Sequence, residues 1–184
     1  MQYNVAQLLR GPTGAQRRYA LEEDVSNLDP DLEPMSPLKG KITLLRTSQG
    51  VLATGKLRTV LRSQCRRCLE PCDVQVTLSL EEEFHPSIGI AEAPVDPIPD
   101  EEYDEALVID EHHILDLTEV IRQGLWLVAP TEALCRPDCA GLCPECGGNR
   151  NFGECQCEQA AIDPRWSALQ ALIAKQSESD ERSD

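Results

Sequence analysis

Six cysteines fall within the 23 residues from Cys135 to Cys157, in the run CRPDCAGLCPECGGNRNFGECQC, and a CRRC pair, Cys65 and Cys68, lies far upstream. A closed tetrahedral zinc site takes four thiolates, so six local cysteines complete one site and leave another two ligands short. Cys65 and Cys68 supply the missing two. Eight of the nine cysteines are then used as ligands of two zinc ions, and Cys72 is left over as a buried thiol or an alternative ligand.

The eight divide in one of two ways. Cys143 and Cys146 form a CPEC knuckle whose following Gly147 and Gly148 let the backbone turn sharply toward thiolate sulfur. Cys155 and Cys157, two apart, share one face of an extended segment, so these four close economically on each other. Cys65, Cys68, Cys135 and Cys139 then form the second site, which closes a loop of roughly 70 residues and restricts the unfolded chain strongly. The rival arrangement groups Cys135, Cys139, Cys143 and Cys146, and joins Cys65 and Cys68 to Cys155 and Cys157. An iron–sulfur cluster uses the same ligand type, but these spacings follow neither ferredoxin pattern.

A dithiol enzyme is the competing chemistry, because arginines between Cys65 and Cys68 would lower a thiol pKa. Against it, no strand-to-helix setting like that of thioredoxin surrounds the pair, and a catalytic dithiol does not call for six further cysteines. His112 and His113 are adjacent and project to opposite sides of an extended chain, so at most one of them could join a common site there. No phosphate-cradling glycine loop is evident, and the reading is of a protein that is not an enzyme. The opening residues lack the layout of a secretory signal and no apolar run is long enough to span a bilayer. A cytoplasmic location without membrane contact is expected, where clustered cysteines are metal ligands more often than disulfides.

The formal net charge of -15 is unevenly spread. Residues 1 to 72 carry 11 Lys/Arg against 7 Asp/Glu, whereas residues 73 to 134 carry Arg122 alone against 16 acidic residues. From Lys39 to Arg67 there are eight basic residues and no acidic one. Lys56, Arg58 and Arg62 share one face of a strand, and Arg66 and Arg67 are held between two cysteine ligands. These five are the candidate RNA-binding residues, contacting phosphates. Aromatic side chains that would stack unpaired bases are almost absent there, so recognition would be shape-driven and salt-sensitive. The same cations on a plain solvated strand face are the ordinary alternative. The acidic block fits a basic protein partner, and no small-molecule substrate is implied.

The elements that position these groups are mainly strands. Residues 2 to 9 and 17 to 23 read as short strands around a GPTG turn, and residues 24 to 38 as a proline-bearing connector outside the core. KITLLRT, VLATGKLRTVLRSQC and CDVQVTLSLEEEF read as successive antiparallel strands separated by SQG and by the CRRCLEP turn. Val74, Val76, Leu78 and Leu80 alternate with polar residues, giving one buried and one wet face. ALVID reads as a short strand after an acidic loop at 85–105. Asp116 then caps a helix, with Glu119 completing a capping box and Leu117, Val120, Ile121, Leu125 and Val128 forming its apolar stripe until Pro130. A second helix opens at Asp163 and Pro164, with Trp166, Leu169, Leu172 and Ile173 on its packing face. The expectation is an α+β fold: an antiparallel sheet of about five or six strands covered by a helix in residues 1–134, a cysteine-rich zinc-binding module at 135–175, and a disordered tail at 176–184.

The segments YNVAQLL, GPTG, CRRCLEP, DLTEVIRQGLWLVAP, the cysteine-rich run and IDPRWSAL together resemble the YceD-like family, known as large ribosomal RNA subunit accumulation proteins. The resemblance extends over residues 1 to 175. It implies a bacterial, cytosolic, non-enzymatic factor of ribosome biogenesis that supports accumulation of large-subunit (23S) ribosomal RNA. Its matching positions are Cys65, Cys68, Cys135, Cys139, Cys143, Cys146, Cys155 and Cys157. The partners that follow are large-subunit ribosomal RNA, a basic large-subunit ribosomal protein, or both; a zinc-stabilised protein-binding adaptor and a thiol-disulfide protein using Cys65 and Cys68 are the alternatives.

Overall fold

Three consecutive segments alternate apolar and polar residues over unusually long stretches, and in the computed structural model they pair as an antiparallel meander. The structure describes residues 1–87, 104–153, 155–157 and 165. The chain divides into two units, Met1–Ala140 and Gly141–Asp184. In the first, the strands are β1 (Gln2–Asn4), β2 (Gln16–Glu23), β3 (Glu33–Pro34), β4 (Leu38–Arg46), β5 (Val51–Gln64), β6 (Pro71–Pro86), β7 (Val108–Ile109) and β8 (Ile114–Asp116). The helices are α1 (Ala6–Leu9) and α2 (Thr118–Val128).

The main sheet has the order β2-β4-β5-β6-β7, with β3 pairing the far end of β5 beyond β4. Every pairing in it is antiparallel except β6 with β7, which is parallel. A two-stranded sheet of β1 and β8 stands apart. Between β4 and β5, Thr47 makes the turn, its hydroxyl accepting from the Gln49 and Gly50 amides. Gly40 is required where β4 meets β5, because a Cβ there would lie 2.2 Å from the Lys56 carbonyl oxygen.

The buried face is built by Leu38, Ile42 and Leu44 of β4, Val51, Leu57 and Leu61 of β5, and Val76, Leu78, Leu80 and Phe84 of β6. Leu117, at the N-cap of α2, and Val120, Ile121 and Leu125 of the helix cover it, and Gly124 lets the helix approach so closely that a Cβ would stand 2.6 Å from a Leu78 methyl. Arg122 ties the exposed side of α2 to the connector, donating to Glu119 and to Asp29 at 2.9 Å, while the Trp126 indole also donates to Asp29. The fold is therefore mostly β-sheet with few helices.

Several expectations are corrected. Residues 6–9 form a turn of helix, not strand: Leu8 and Leu9 are neighbours and both are buried, which a strand with opposed side chains does not achieve. The 24–38 connector contributes to the core through Val25, Leu32 and Leu38, and includes β3. ALVID is split between a 3-10 turn at Glu105–Leu107 and β7. Asp116 does accept the Thr118 amide, but Glu119 turns to Arg122 and Gln123, so the reciprocal half of the capping box is not made. Of the acidic loop expected at 85–105, residues 88–103 lie outside the described residues, while 85–86 end β6 and Glu105 opens the 3-10 turn; the tail at 176–184 and, Arg165 apart, the helix expected from Asp163 also lie outside them.

Candidate metal centres and cationic face

β5 and β6 are joined by Cys65 to Glu70, a tight connection closed by the Leu69 amide donating to the Cys65 carbonyl and the Cys65 amide to the Glu70 carbonyl, both at 2.9 Å. Leu69 takes φ 61° to complete it. The stretch that follows α2 is fastened to this tip at several points. The Arg66 amide donates to the Ala133 carbonyl, Ser63 Oγ to the Pro130 carbonyl, and the Arg67 guanidinium to the Cys139 carbonyl. An Arg66–Glu132 ion pair at 2.8 Å adds to them.

These contacts bring Cys65, Cys68, Cys135 and Cys139 together with all four Sγ atoms within 4.8 Å of one another. The Cys65–Cys139 separation is 3.8 Å and the Cys68–Cys135 separation 3.6 Å. A tetrahedron with zinc–sulfur bonds of about 2.3 Å has edges of about 3.8 Å, whereas a disulfide needs about 2.05 Å. The sulfurs are thus spaced for a shared cation and not for a bond between them, and none of the nine cysteines is in a disulfide.

In the second unit Cys143, Cys146, Cys155 and Cys157 also place their sulfurs within 4.8 Å of one another. The knuckle is local. The Gly147 amide donates to the Cys143 carbonyl and the Cys143 amide to the Gly148 carbonyl, with Gly147 at φ 70°. A Cβ on Gly148 would lie 3.3 Å from Cys146 Sγ, so the glycine leaves room for the sulfur.

The electrostatics of both groups suit a cation. Hydrogen bonds from backbone amides, that of Cys135 first, hold the Cys65 thiol down at about 6, and those of Cys146 and Glu145 do the same for Cys143. Burial, followed by hydrogen bonds shared with the other thiols, pushes Cys135 up to about 12. Hydrogen bonding with Cys146, followed by burial, does so for Cys157. Four thiols this close cannot all ionise side by side, because each thiolate opposes the next. A divalent cation that prefers sulfur in tetrahedral geometry removes the conflict, so either group can hold a metal ion. Cys72 stands outside both, opposite Ser63 on β5, with its thiol pushed up by burial.

The five candidate cations fare differently from one another. Lys56 and Arg58 are exposed on the outer face of β5. Arg62 shares that face but is paired with Asp73 of β6 at 3.1 Å, and Arg66 and Arg67 remain exposed while fastening the segment at 132–139. Two further cations join the first pair. Lys41 lies directly opposite Lys56, and Lys39 opposite Arg58, so four cations fill two adjacent cross-strand rows. Lys39 pairs with Glu22 at 2.6 Å, whereas Lys41, Lys56 and Arg58 have no ion-pair partner among the described residues. The i, i+2 spacing of Lys39 and Lys41 would have placed them on one face, but only the strand register sets them against Arg58 and Lys56.

Residues 53–173 match the family described as large ribosomal RNA subunit accumulation protein YceD. Uncharacterised proteins of Mycobacterium bovis and Mycobacterium tuberculosis are 35% identical over 139 residues, covering 71% of this chain and 59% of theirs. A maize protein named large ribosomal RNA subunit accumulation protein YCED homolog 1, chloroplastic, is 27% identical over 149 residues, covering 68% of this chain and 50% of its own. The chain thus spans about three fifths of the length of the mycobacterial relatives. No solved structure matches. No described helix is long and apolar enough to cross a membrane. The span matched takes in the CRRC pair, α2 and all six downstream cysteines, and the chain belongs to the YceD family of large ribosomal RNA subunit accumulation proteins.

Proposed function

We propose that this protein is a non-enzymatic factor of the bacterial cytoplasm that supports accumulation of large-subunit ribosomal RNA by binding it, with two zinc ions stabilising the binding protein. The observation that carries the reading is the pair of like-charged cross-strand rows, Lys39 with Arg58 and Lys41 with Lys56. Like charges directly opposite on a sheet destabilise it. A polyanion laid across them reverses that sign, because each phosphate neutralised releases counterions. The arrangement is more telling in a chain of net charge -15, where positive charge is otherwise diluted.

Zinc is proposed at Cys65, Cys68, Cys135 and Cys139, and at Cys143, Cys146, Cys155 and Cys157. At the first site the metal would fix the tip that carries Arg66 and Arg67, which are proposed to contact phosphate there. Arg62, half engaged by Asp73, would exchange that partner for phosphate. The acidic residues beyond β5 suit a basic ribosomal protein as a second partner.

Thiol-disulfide exchange by Cys65 and Cys68 is the less favoured reading. Cys65 is fully buried and stands 3.8 Å from Cys139, so no external disulfide reaches it while the group is intact. Isolation of the protein from cells, with identification of the RNA and protein that accompany it, tests the proposal. Enrichment of large-subunit ribosomal RNA is the expected result; recovery without RNA would refute the binding role.

A further inference from the structure

β6 runs for 16 residues and is paired along one side with β5 from Pro71 to Phe84. On its other side β7 engages only His85 and Pro86. Among the described residues nothing forms a backbone hydrogen bond to the remaining edge between Cys72 and Glu83. An exposed edge of this length offers alternate N–H and C=O groups to an extended chain, and proteins ordinarily blunt such an edge with charged side chains, lysine above all, with proline or with a bulge. This one contains no lysine and no proline from Cys72 to Phe84, and its register with β5 is unbroken.

The side chains divide the edge into two zones. Leu78 and Leu80 point beneath α2, where Leu80, Leu107, Gly124 and Leu127 line a cleft of about 210 Å³ that Glu82 and Asp104 also border. Leu127 is 88% exposed at the cleft, on a helix whose Val120, Ile121 and Leu125 are buried. Facing outward, Thr77, Ser79 and Glu81 alternate with the buried residues. The charged side chains of the strand, Asp73, Glu81, Glu82 and Glu83, are all acidic.

We propose that the open edge of β6 takes up an extended, lysine- or arginine-bearing segment of a partner protein as an added strand, with its alternate apolar side chains seated in the cleft beside Leu127. Main-chain hydrogen bonds supply affinity in such strand addition, and the pockets met by alternate side chains supply selectivity. Charge selects the occupant. A second copy pairing antiparallel through β6 about Thr77 would set Asp73 against Glu81, which cross-strand pairing disfavours. The segment 88–103 of this chain carries Glu92, Asp96, Asp100, Glu101 and Glu102 and no basic residue. A basic segment alternating with apolar residues meets both zones. This inference rests on the basic-protein arm of the proposed function.

The test uses the full chain in its zinc-loaded form and, as probe, a labelled peptide of about ten residues alternating valine and lysine, long enough to run along the edge. Binding is expected, weakened about tenfold or more by Leu127→Lys, with hydrogen exchange of alternate β6 amides between Cys72 and Glu83 slowed about tenfold or more in the complex. Equal binding by the peptide N-methylated at alternate residues, or by an alternating valine–glutamate peptide, overturns the proposal. So does protection of those amides without peptide, whether in a dimer, where a second copy is the occupant, or in a monomer, where the chain covers its own edge. Binding of large-subunit RNA by the same preparation, measured in parallel, separates failure of this edge from failure of the cationic face.

Discussion

Cys68 and Cys135 stand 67 residues apart in the chain, yet their sulfurs lie 3.6 Å from one another at the tip of the β5–β6 hairpin. Closing so long a loop through a metal removes much of the freedom of the unfolded chain, and the ion binds the folded form far better than the unfolded one. Metal analysis of the purified chain is expected to give two zinc ions per molecule. Chelation is expected to lower the unfolding midpoint, and a content of zero or one ion would contradict the paired assignment.

Single substitutions resolve the two centres. Cys135→Ser is expected to lose the first ion and loosen the segment it holds, so the Arg66 amide, which donates to the Ala133 carbonyl, exchanges with solvent faster. Cys155→Ser is expected to lose the second ion and leave the Arg66 amide protected. If both substitutions expose that amide alike, Cys155 belongs with Cys65 and Cys68 and the grouping is wrong.

Gly40→Ala probes the contact between β4 and β5. The new methyl would fall 2.2 Å from the Lys56 carbonyl oxygen, a backbone atom that cannot swing away. Overpacking of this kind costs roughly 1–3 kcal/mol, here through forced separation of the strands. Urea titration is expected to show a lower midpoint with unchanged slope; an unaltered midpoint would mean that the strands are not so close.

Glu119 gives the pH dependence. Hydrogen bonds from Arg122 and then Gln123 hold its carboxyl at about 2, against an ordinary 4.5. A carboxyl lowered in the folded state contributes stability above its unfolded pKa and loses it as pH falls through the folded value. Wild type is therefore expected to exceed Glu119→Gln in thermal midpoint at pH 6, and the difference to close as pH falls from about 4.5 toward about 2. A difference that stays constant over that interval would remove the carboxylate from the α2 network.

The long strands and α2 were legible because their periodicity is strong: Val76, Leu78 and Leu80 alternate without interruption, and Leu117, Ile121 and Leu125 keep helical spacing. The grouping of the cysteines was also readable, since CPECGG can turn on itself and Cys65 and Cys68 sit at a strand turn. What could not be read depends on partners distant in sequence. β1 gains its strand character from β8, 110 residues and more away, and β7 from a parallel pairing with β6. Glu119 left its capping role because Arg122, one helical turn on, offers a charged partner. The opposed cations required the register of β4 on β5, which the Thr47 turn sets.

The central claim is that the paired rows of cations on β4 and β5 bind large-subunit ribosomal RNA, and the direct measurement is affinity for that RNA as a function of salt. Replacing Lys41, Lys56 and Arg58 together by alanine is expected to weaken binding about tenfold or more near physiological salt. It is also expected to flatten the dependence of log affinity on log salt by roughly one for each phosphate that is no longer neutralised. An affinity and a salt slope indistinguishable from those of the parent protein would contradict the account.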